Sequence, residues 1–212
     1  MSVFTGSVHP PGRERALFFP GGAWYNAFIR SETAGGWPVR LLFTMDKKDY
    51  ADCTRRFSRD SARSIVVRKG RIAMIHSPKY DYYKFPGGGI EKGEDPIAAM
   101  IRETREEAGL IVLPETVREY GYVHRIQRSG RDPAECFVQE NYYYFCDVLD
   151  DTVPQKLDDY EAEESFRLVF VDPDAAIQAN RGAKESPPDP LMLEREARVL
   201  ELLLSEGVTG SF

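Results

Sequence analysis

The chain has 212 residues, 42% of them hydrophobic and 29% charged, with a formal net charge of −6 at pH 7. That length suits one well-buried domain with an appendage, and the acidic balance argues against a broad nucleic-acid-binding surface while leaving a local basic pocket open. The longest apolar-leaning stretch, Leu17 to Ile29, is interrupted by Pro20, Gly21 and Gly22 and is too short to span a bilayer. The N-terminus lacks the order of a secretory signal. Cys136 and Cys146 share an expected strand and would stand roughly 30 Å apart, too far for a disulfide. The expectation is a cytoplasmic protein with free thiols and no membrane partner.

Residues 1–38 mix Gly and Pro with scattered aromatics and show no sustained period, so irregular structure with short strands is expected. Val39–Met45 reads as a strand. Lys47–Arg63 is polar and arginine-rich (Arg55, Arg56, Arg59, Arg63), which suits a solvated linker or a rim that meets a substrate phosphate. Ser64–Val67 and Arg71–His76 are β-branched and apolar around Lys69-Gly70, the pattern of a hairpin. Asp81–Phe85 is a short aromatic strand. A second hairpin is expected from Val117–Gln127 and Glu135–Val148, with Glu140 the lone carboxylate in an apolar register. Asp158–Ser165 reads as an acidic loop before a strand at Phe166–Val171. Asp172-Pro173 opens a short helix to about Asn180, and Asp189-Pro190 opens a last one striped by Leu193, Ala197, Leu200 and Leu204. Strands outnumber helices, so a mixed sheet with helices on both faces is the economical fold.

Pro86–Leu110 is the stretch around which the rest is arranged. Asp95 caps a helix, Pro96 fills its first position and Gly109 its left-handed end. At about 100° per residue, Ile97, Ile101, Thr104 and Ala108 form the stripe expected to face the sheet. Glu103, Glu106 and Glu107 share the adjoining arc, with Arg102 one turn before Glu106. In a partly desolvated cleft such acids would repel by about 3 kcal/mol per pair at ~5 Å and an effective dielectric near 20. Divalent cations would turn that repulsion into attraction, and carboxylate oxygens favour Mg²⁺ or Mn²⁺. Arg102 can fix a carboxylate bidentately, and Gly87, Gly88 and Gly89 let backbone approach a metal-bound phosphate. A P-loop is excluded, because Glu94 stands where its lysine is required.

These residues resemble the Nudix hydrolase signature, G-x5-E-x7-R-E-U-x-E-E-x-G-U with U a bulky aliphatic residue, in the MutT-like manner. Gly88, Glu94, Arg102, Glu103, Glu106, Glu107, Gly109 and Leu110 match, and Thr104 replaces one aliphatic residue. The resemblance implies an α-β-α sandwich around a mixed sheet. It would span residues 61–207, after an N-terminal extension over 1–60 (a dimer arm or a pocket wall) and before a short tail over 208–212. It further implies metal-dependent hydrolysis of a nucleoside diphosphate linked to another moiety, such as a nucleoside triphosphate, ADP-ribose or a nucleotide sugar. Glu103, Glu106 and Glu107, with the Gly88 backbone, would hold Mg²⁺. Glu94 and Arg102 would orient them, and Gly87, Gly88, Gly89 and Arg63 would meet the substrate. For the general base, a box glutamate, Glu163 or Glu164 on the loop before the late strand, and Glu140 stay open. Ile126 and Arg128 stand where ADP-ribose and dinucleoside-polyphosphate enzymes carry a marker proline and tyrosine. The coenzyme A and NADH signatures are absent too. The resemblance therefore leaves the substrate open, together with a silent, nucleotide-sensing alternative.

Overall fold

A computed structural model describes residues 39–182 and 189–208; the expectations for residues 1–38 and for the tail after Val208 lie outside that range. The chain runs through twelve strands and four α-helices among these residues. The largest sheet has the order β1 (Leu41–Asp46), β9 (Arg118–Arg128), β10 (Glu135–Phe145), β3 (Ser61–Ile65), β7 (Gly87–Gly89), with β2 (Arg55–Ser58) also paired to β10. It is mixed: β1 with β9 and β3 with β10 are parallel, while β9 with β10 and β3 with β7 are antiparallel. A second sheet joins β12 (Arg167–Val171), β5 (Arg71–Ser77) and β4 (Val67–Arg68), with β6 (Tyr82–Lys84) paired to β5. A small ribbon pairs β8 (Leu110–Val112) with β11 (Val148–Thr152).

Helix α1 (Pro96–Ala108) packs on one side of this framework, while α3 (Pro173–Gly182) and α4 (Pro190–Ser205) pack together on the other. Strand β5 shows why both faces must be covered. Ile72 and Met74 enter the core that holds Ala197, Leu200 and Leu203 of α4, while Ala73 and Ile75 enter the core that holds Ala99 and Met100 of α1. A strand buried on both sides loses the apolar–polar alternation and reads as a continuous apolar run.

Several sequence expectations change here. The span from Lys47 to Arg63 is no linker, since β2 and the start of β3 lie inside it, both paired in parallel with β10; Arg55 and Arg56 stay exposed while Ser61 and Arg63 are buried. The Lys69-Gly70 hairpin forms between β4 and β5, but of the expected first strand Ser64–Val67 only Val67 belongs to it; the chain changes sheets near Val66, whose carbonyl accepts from Ala73 N at 2.9 Å. The second hairpin ends at Phe145, and Val148 starts the separate strand β11. The acidic segment before β12 contains a short helix, α2 (Asp159–Glu163).

Helix α1 is bounded as its ends dictate. Asp95 accepts from Ile97 N at 2.9 Å and Ala98 N at 3.2 Å, and Gly109 closes the helix at φ 67°. Its buried face is Ala99, Met100, Thr104, Glu107 and Ala108, whereas Ile97 is exposed and Ile101 half-buried. The expected stripe is therefore rotated. The helix wedges against several strands at once, so the small Ala99 and Thr104 take the tight positions, and Ile101 borders an outer groove with Val153 and Pro154.

Candidate metal and phosphate site

Glu103, Glu106 and Glu107 face one cleft of about 460 Å³, completed by Arg59, Gly89, Ile90, Glu91, Lys156, Asp158 and Glu161. Arg102 organises its rim. Its Nε and one terminal nitrogen each donate to Glu94 at 2.9 Å, and its other terminal nitrogen donates to Glu103 at 2.7 Å and Glu106 at 3.4 Å. It also reaches the Gly89 carbonyl at 3.2 Å, tying helix to glycine strand. The guanidinium holds the Glu94 carboxyl down at about 2, with help from the Glu91 amide.

The three carboxylates differ in depth. Burial raises the Glu103 carboxyl against the pull of Arg102, and the neighbouring Glu106 and Glu161 raise it further. Glu107 is fully enclosed, and burial pushes it up to about 7 despite the ammonium of Lys84 beside it. One Glu107 oxygen touches Lys84 Nζ, and the other accepts from Gly87 N at 2.9 Å. Glu106 is the outermost, within 3.4 Å of Lys156 Nζ.

The glycines are needed for space. Gly87 sits at φ +138°, and a Cβ there would stand 2.2 Å from the Ala62 carbonyl oxygen. A Cβ on Gly88 would strike the Glu103 carboxylate at 2.4 Å, so glycine backbone and carboxylate are in direct apposition. Gly89 makes room for the Arg59 guanidinium, which a Cβ would meet at 2.9 Å.

The remaining expected residues are placed as follows. Arg63 does not reach the cleft: it is buried, donating to the carbonyls of Phe85 at 3.0 Å and Gly87 at 3.2 Å. Arg59 lines the cleft instead, and among the described residues no carboxylate pairs with it. Glu163 is turned to solvent and Lys79, 2.6 Å away. Glu164 is buried but accepts from the hydroxyls of Ser77 at 2.8 Å and Tyr82 at 2.7 Å, which anchors α2 to β5 and β6. Glu140 pairs with His124 Nδ1 at 2.8 Å and is not in the cleft lining. The later carboxylates that do face the cleft are Asp158 and Glu161, and Glu161 lies 3.9 Å from Lys84 Nζ. Sequence reasoning missed it by reading a loop. Asp158-x-x-Glu161 has the spacing of a capping box, and Glu161 accepts from Asp158 N at 3.0 Å.

The donor set fits a hard divalent cation: carboxylates and backbone oxygen, with no thiolate or imidazole among the cleft residues. As the side chains stand, no three acidic, histidine or cysteine groups among the described residues converge on one point. Glu103 and Glu106 point to Arg102, and to share an ion they would have to turn away from it about their side-chain torsions.

Against known proteins, a sequence model of the NUDIX domain matches residues 58–192. An RNA pyrophosphohydrolase of Halorhodospira halophila is 31% identical over 108 residues, covering 49% of this chain and 60% of that protein. Another, from Xanthomonas axonopodis pv. citri, is 28% identical over 118 residues, covering 51% and 56%. The chain thus spans less than two thirds of the length of these relatives. Among solved structures, a NUDIX hydrolase from Nitrosomonas europaea is 16% identical with a TM-score of 0.47, covering 68% of this chain and 90% of that one. The MutT structure from work on Aliivibrio salmonicida and Vibrio cholerae is also 16% identical, with a TM-score of 0.45, covering 71% and 99%. With the domain match running over more than half of the chain and across the whole glycine–glutamate unit, this protein belongs to the Nudix family.

Proposed function

We propose that the chain is a pyrophosphohydrolase that uses Mg²⁺, with Mn²⁺ as a substitute, to hydrolyse a phosphoanhydride bond in a nucleotide or nucleoside-diphosphate derivative. One observation carries this reading. Glu103, Glu106, Glu107 and Glu161 line one cleft in which, among the described residues, Arg59 is the cation that no carboxylate pairs. Such a site repels anions unless cations intervene, and the chain itself supplies one guanidinium for phosphate.

Glu103, Glu106 and Glu107 would hold the ion beside the Gly88 backbone. When bound, a divalent ion neutralises phosphate charge and lowers the pKa of a coordinated water. The other roles fall to the chain. Arg102 keeps Glu94 ionised and holds Glu103 at the edge of the cleft. Glu161 accepts the proton of the attacking water, since it is the cleft carboxylate outside the box helix that stands beside Glu107 and Lys84. Lys84 offsets the charge of both buried glutamates. Arg59 holds a phosphate oxygen on the opposite wall, the role that Arg63 had been expected to fill. The relatives' name puts RNA carrying a 5′ phosphoanhydride among the substrates to test, beside nucleoside triphosphates, ADP-ribose and nucleotide sugars.

The test is phosphate, pyrophosphate or nucleotide release from that panel with Mg²⁺. Turnover of at least one member, abolished by EDTA and restored by Mg²⁺, is expected. Inactivity across the panel together with tight, saturable binding of one member would replace the enzyme reading with a nucleotide sensor.

A further inference from the structure

The Glu107 carboxylate is gripped at both oxygens by one short piece of chain. Lys84 touches one oxygen and the Gly87 amide donates to the other. Between these two residues lie Phe85 and Pro86, and their backbone is clamped from behind. Glu196, completely buried on α4, accepts from Phe85 N at 3.2 Å. Arg63, buried on β3, donates to Phe85 O at 3.0 Å and Gly87 O at 3.2 Å, and its Nε lies 3.7 Å from Glu196. Ser64 N donates to Pro86 O at 2.9 Å. Arg195 holds the far oxygen of Glu196 through two nitrogens, at 3.1 and 2.6 Å, and also donates to the Asn141 side chain.

We propose that Glu196 and Arg63 are positioning residues for the Glu107 carboxylate, acting through the Phe85–Gly87 backbone. The proposal rests on the reading of Glu107 as a metal ligand. Neither side chain reaches the cleft, and Glu196 comes from the opposite face of the sandwich. A buried ion pair is a poor source of net stability compared with apolar packing. Its geometric yield here is specific, because every hydrogen bond it makes to backbone falls on the three residues that end at the Glu107 contact. A Cβ on Gly87 would stand 2.2 Å from Ala62 O and 2.7 Å from Arg63 Cα, so its backbone lies tight against β3, and only Pro86 separates its amide from the clamped Phe85. Partners that orient a metal ligand commonly contribute about 10–100-fold to metal affinity.

The experiment is Mn²⁺ titration of the full chain, followed by electron paramagnetic resonance, at a temperature well below every variant's Tm. Glu196→Gln and Arg63→Lys are compared with Val199→Ala, which trims the buried core of the same helix without touching the clasp. Glu196→Gln is expected to weaken Mn²⁺ binding by about tenfold or more, with Val199→Ala unchanged even where its Tm falls as far. If Glu196→Gln does not fold, Arg63→Lys carries the test, because lysine keeps the charge but has no second nitrogen to face Glu196 while one nitrogen bridges the two carbonyls. Wild-type Mn²⁺ affinity in folded Glu196→Gln and Arg63→Lys overturns the positioning role while leaving the metal reading intact. Absence of Mn²⁺ binding in the wild type overturns the metal reading and this proposal with it.

Discussion

Glu107 on α1 and Glu196 on α4 are both glutamates sealed inside the same domain, and they live in opposite electrostatic surroundings. Glu196 has arginine on one oxygen and a backbone amide on the other. Glu107 has one lysine, one amide, and a cleft full of other acids. The first arrangement is internally balanced, and its natural product is a fixed backbone. The second is balanced only with added positive charge, which burial expresses by raising the Glu107 carboxyl to about 7. A buried charge fully paired by the chain has its charge spent on holding backbone; a buried charge left among like charges is open to a cation.

The sharpest way to break this contrast is to neutralise each side in turn. Glu106→Gln is expected to lower kcat by orders of magnitude with little change in Tm, as befits an acid at the open rim of the cleft. Wild-type turnover in that variant, measured on whichever substrate the panel identifies, would sink its assignment as a metal ligand. Glu196→Ala should destabilise the fold by about 3 kcal/mol or more, because Arg195 and Arg63 are then buried with no carboxylate. Glu107→Gln should cost less than Glu196→Ala, since it removes a charge that burial and Glu161 already oppose and leaves Lys84 with Glu161 at 3.9 Å. Urea unfolding of both variants decides this, and equal losses would erase the distinction between the two glutamates. Arg59→Ala probes the cation that faces the acids across the cleft. It is expected to raise KM by about tenfold, the equivalent of a modest charge-assisted contact of ~1.4 kcal/mol, with Tm unmoved because the side chain is exposed. An unchanged KM would remove Arg59 from the substrate path.

The smallest effect concerns Asp189, which caps α4 and receives both terminal nitrogens of Arg125 at 2.6 and 2.9 Å. Burial raises its carboxyl, but Arg125 and the Met192 amide outweigh this and leave it below the ordinary aspartate value. A carboxyl depressed in the folded state adds stability above its unfolded pKa of about 3.9 and loses it as pH falls through the lower folded value. Tm should therefore fall more steeply below about pH 4 in the wild type than in Asp189→Asn. Parallel Tm profiles would show that the cap is independent of charge.

How far the sequence could be read depended on how local the cause was. The ends of α1 follow from Asp95, Pro96 and Gly109, each acting within a few residues, and the structure places them so. The crowding of Glu103, Glu106 and Glu107 on one arc is a consequence of helical period and needed no tertiary information. The choice among arginines was not local. Arg59 and Arg63 lie four positions apart in the same polar run, yet β3 carries Arg63 into the sandwich toward Glu196 while Arg59 remains at the mouth beside Gly89. The choice among late glutamates was lost for a similar reason. Glu161, Glu163 and Glu164 look alike in a loop, but a single helical turn sends one to the cleft, one to solvent and one to Ser77 and Tyr82.

By itself, then, the sequence determined the family, the capped acidic helix and the hard-cation character of its donors, because caps, period and ligand chemistry are written in neighbouring residues. Only the tertiary structure decided that Ile97 and Ile101 lie outside the tight face of α1, that Arg59 rather than Arg63 meets the cleft, and that Glu107 is held by a backbone clamped from α4. Each of those outcomes depends on which strand lies beside which, and strand pairing over long separations is fixed by the packing of the whole domain rather than by any single stretch.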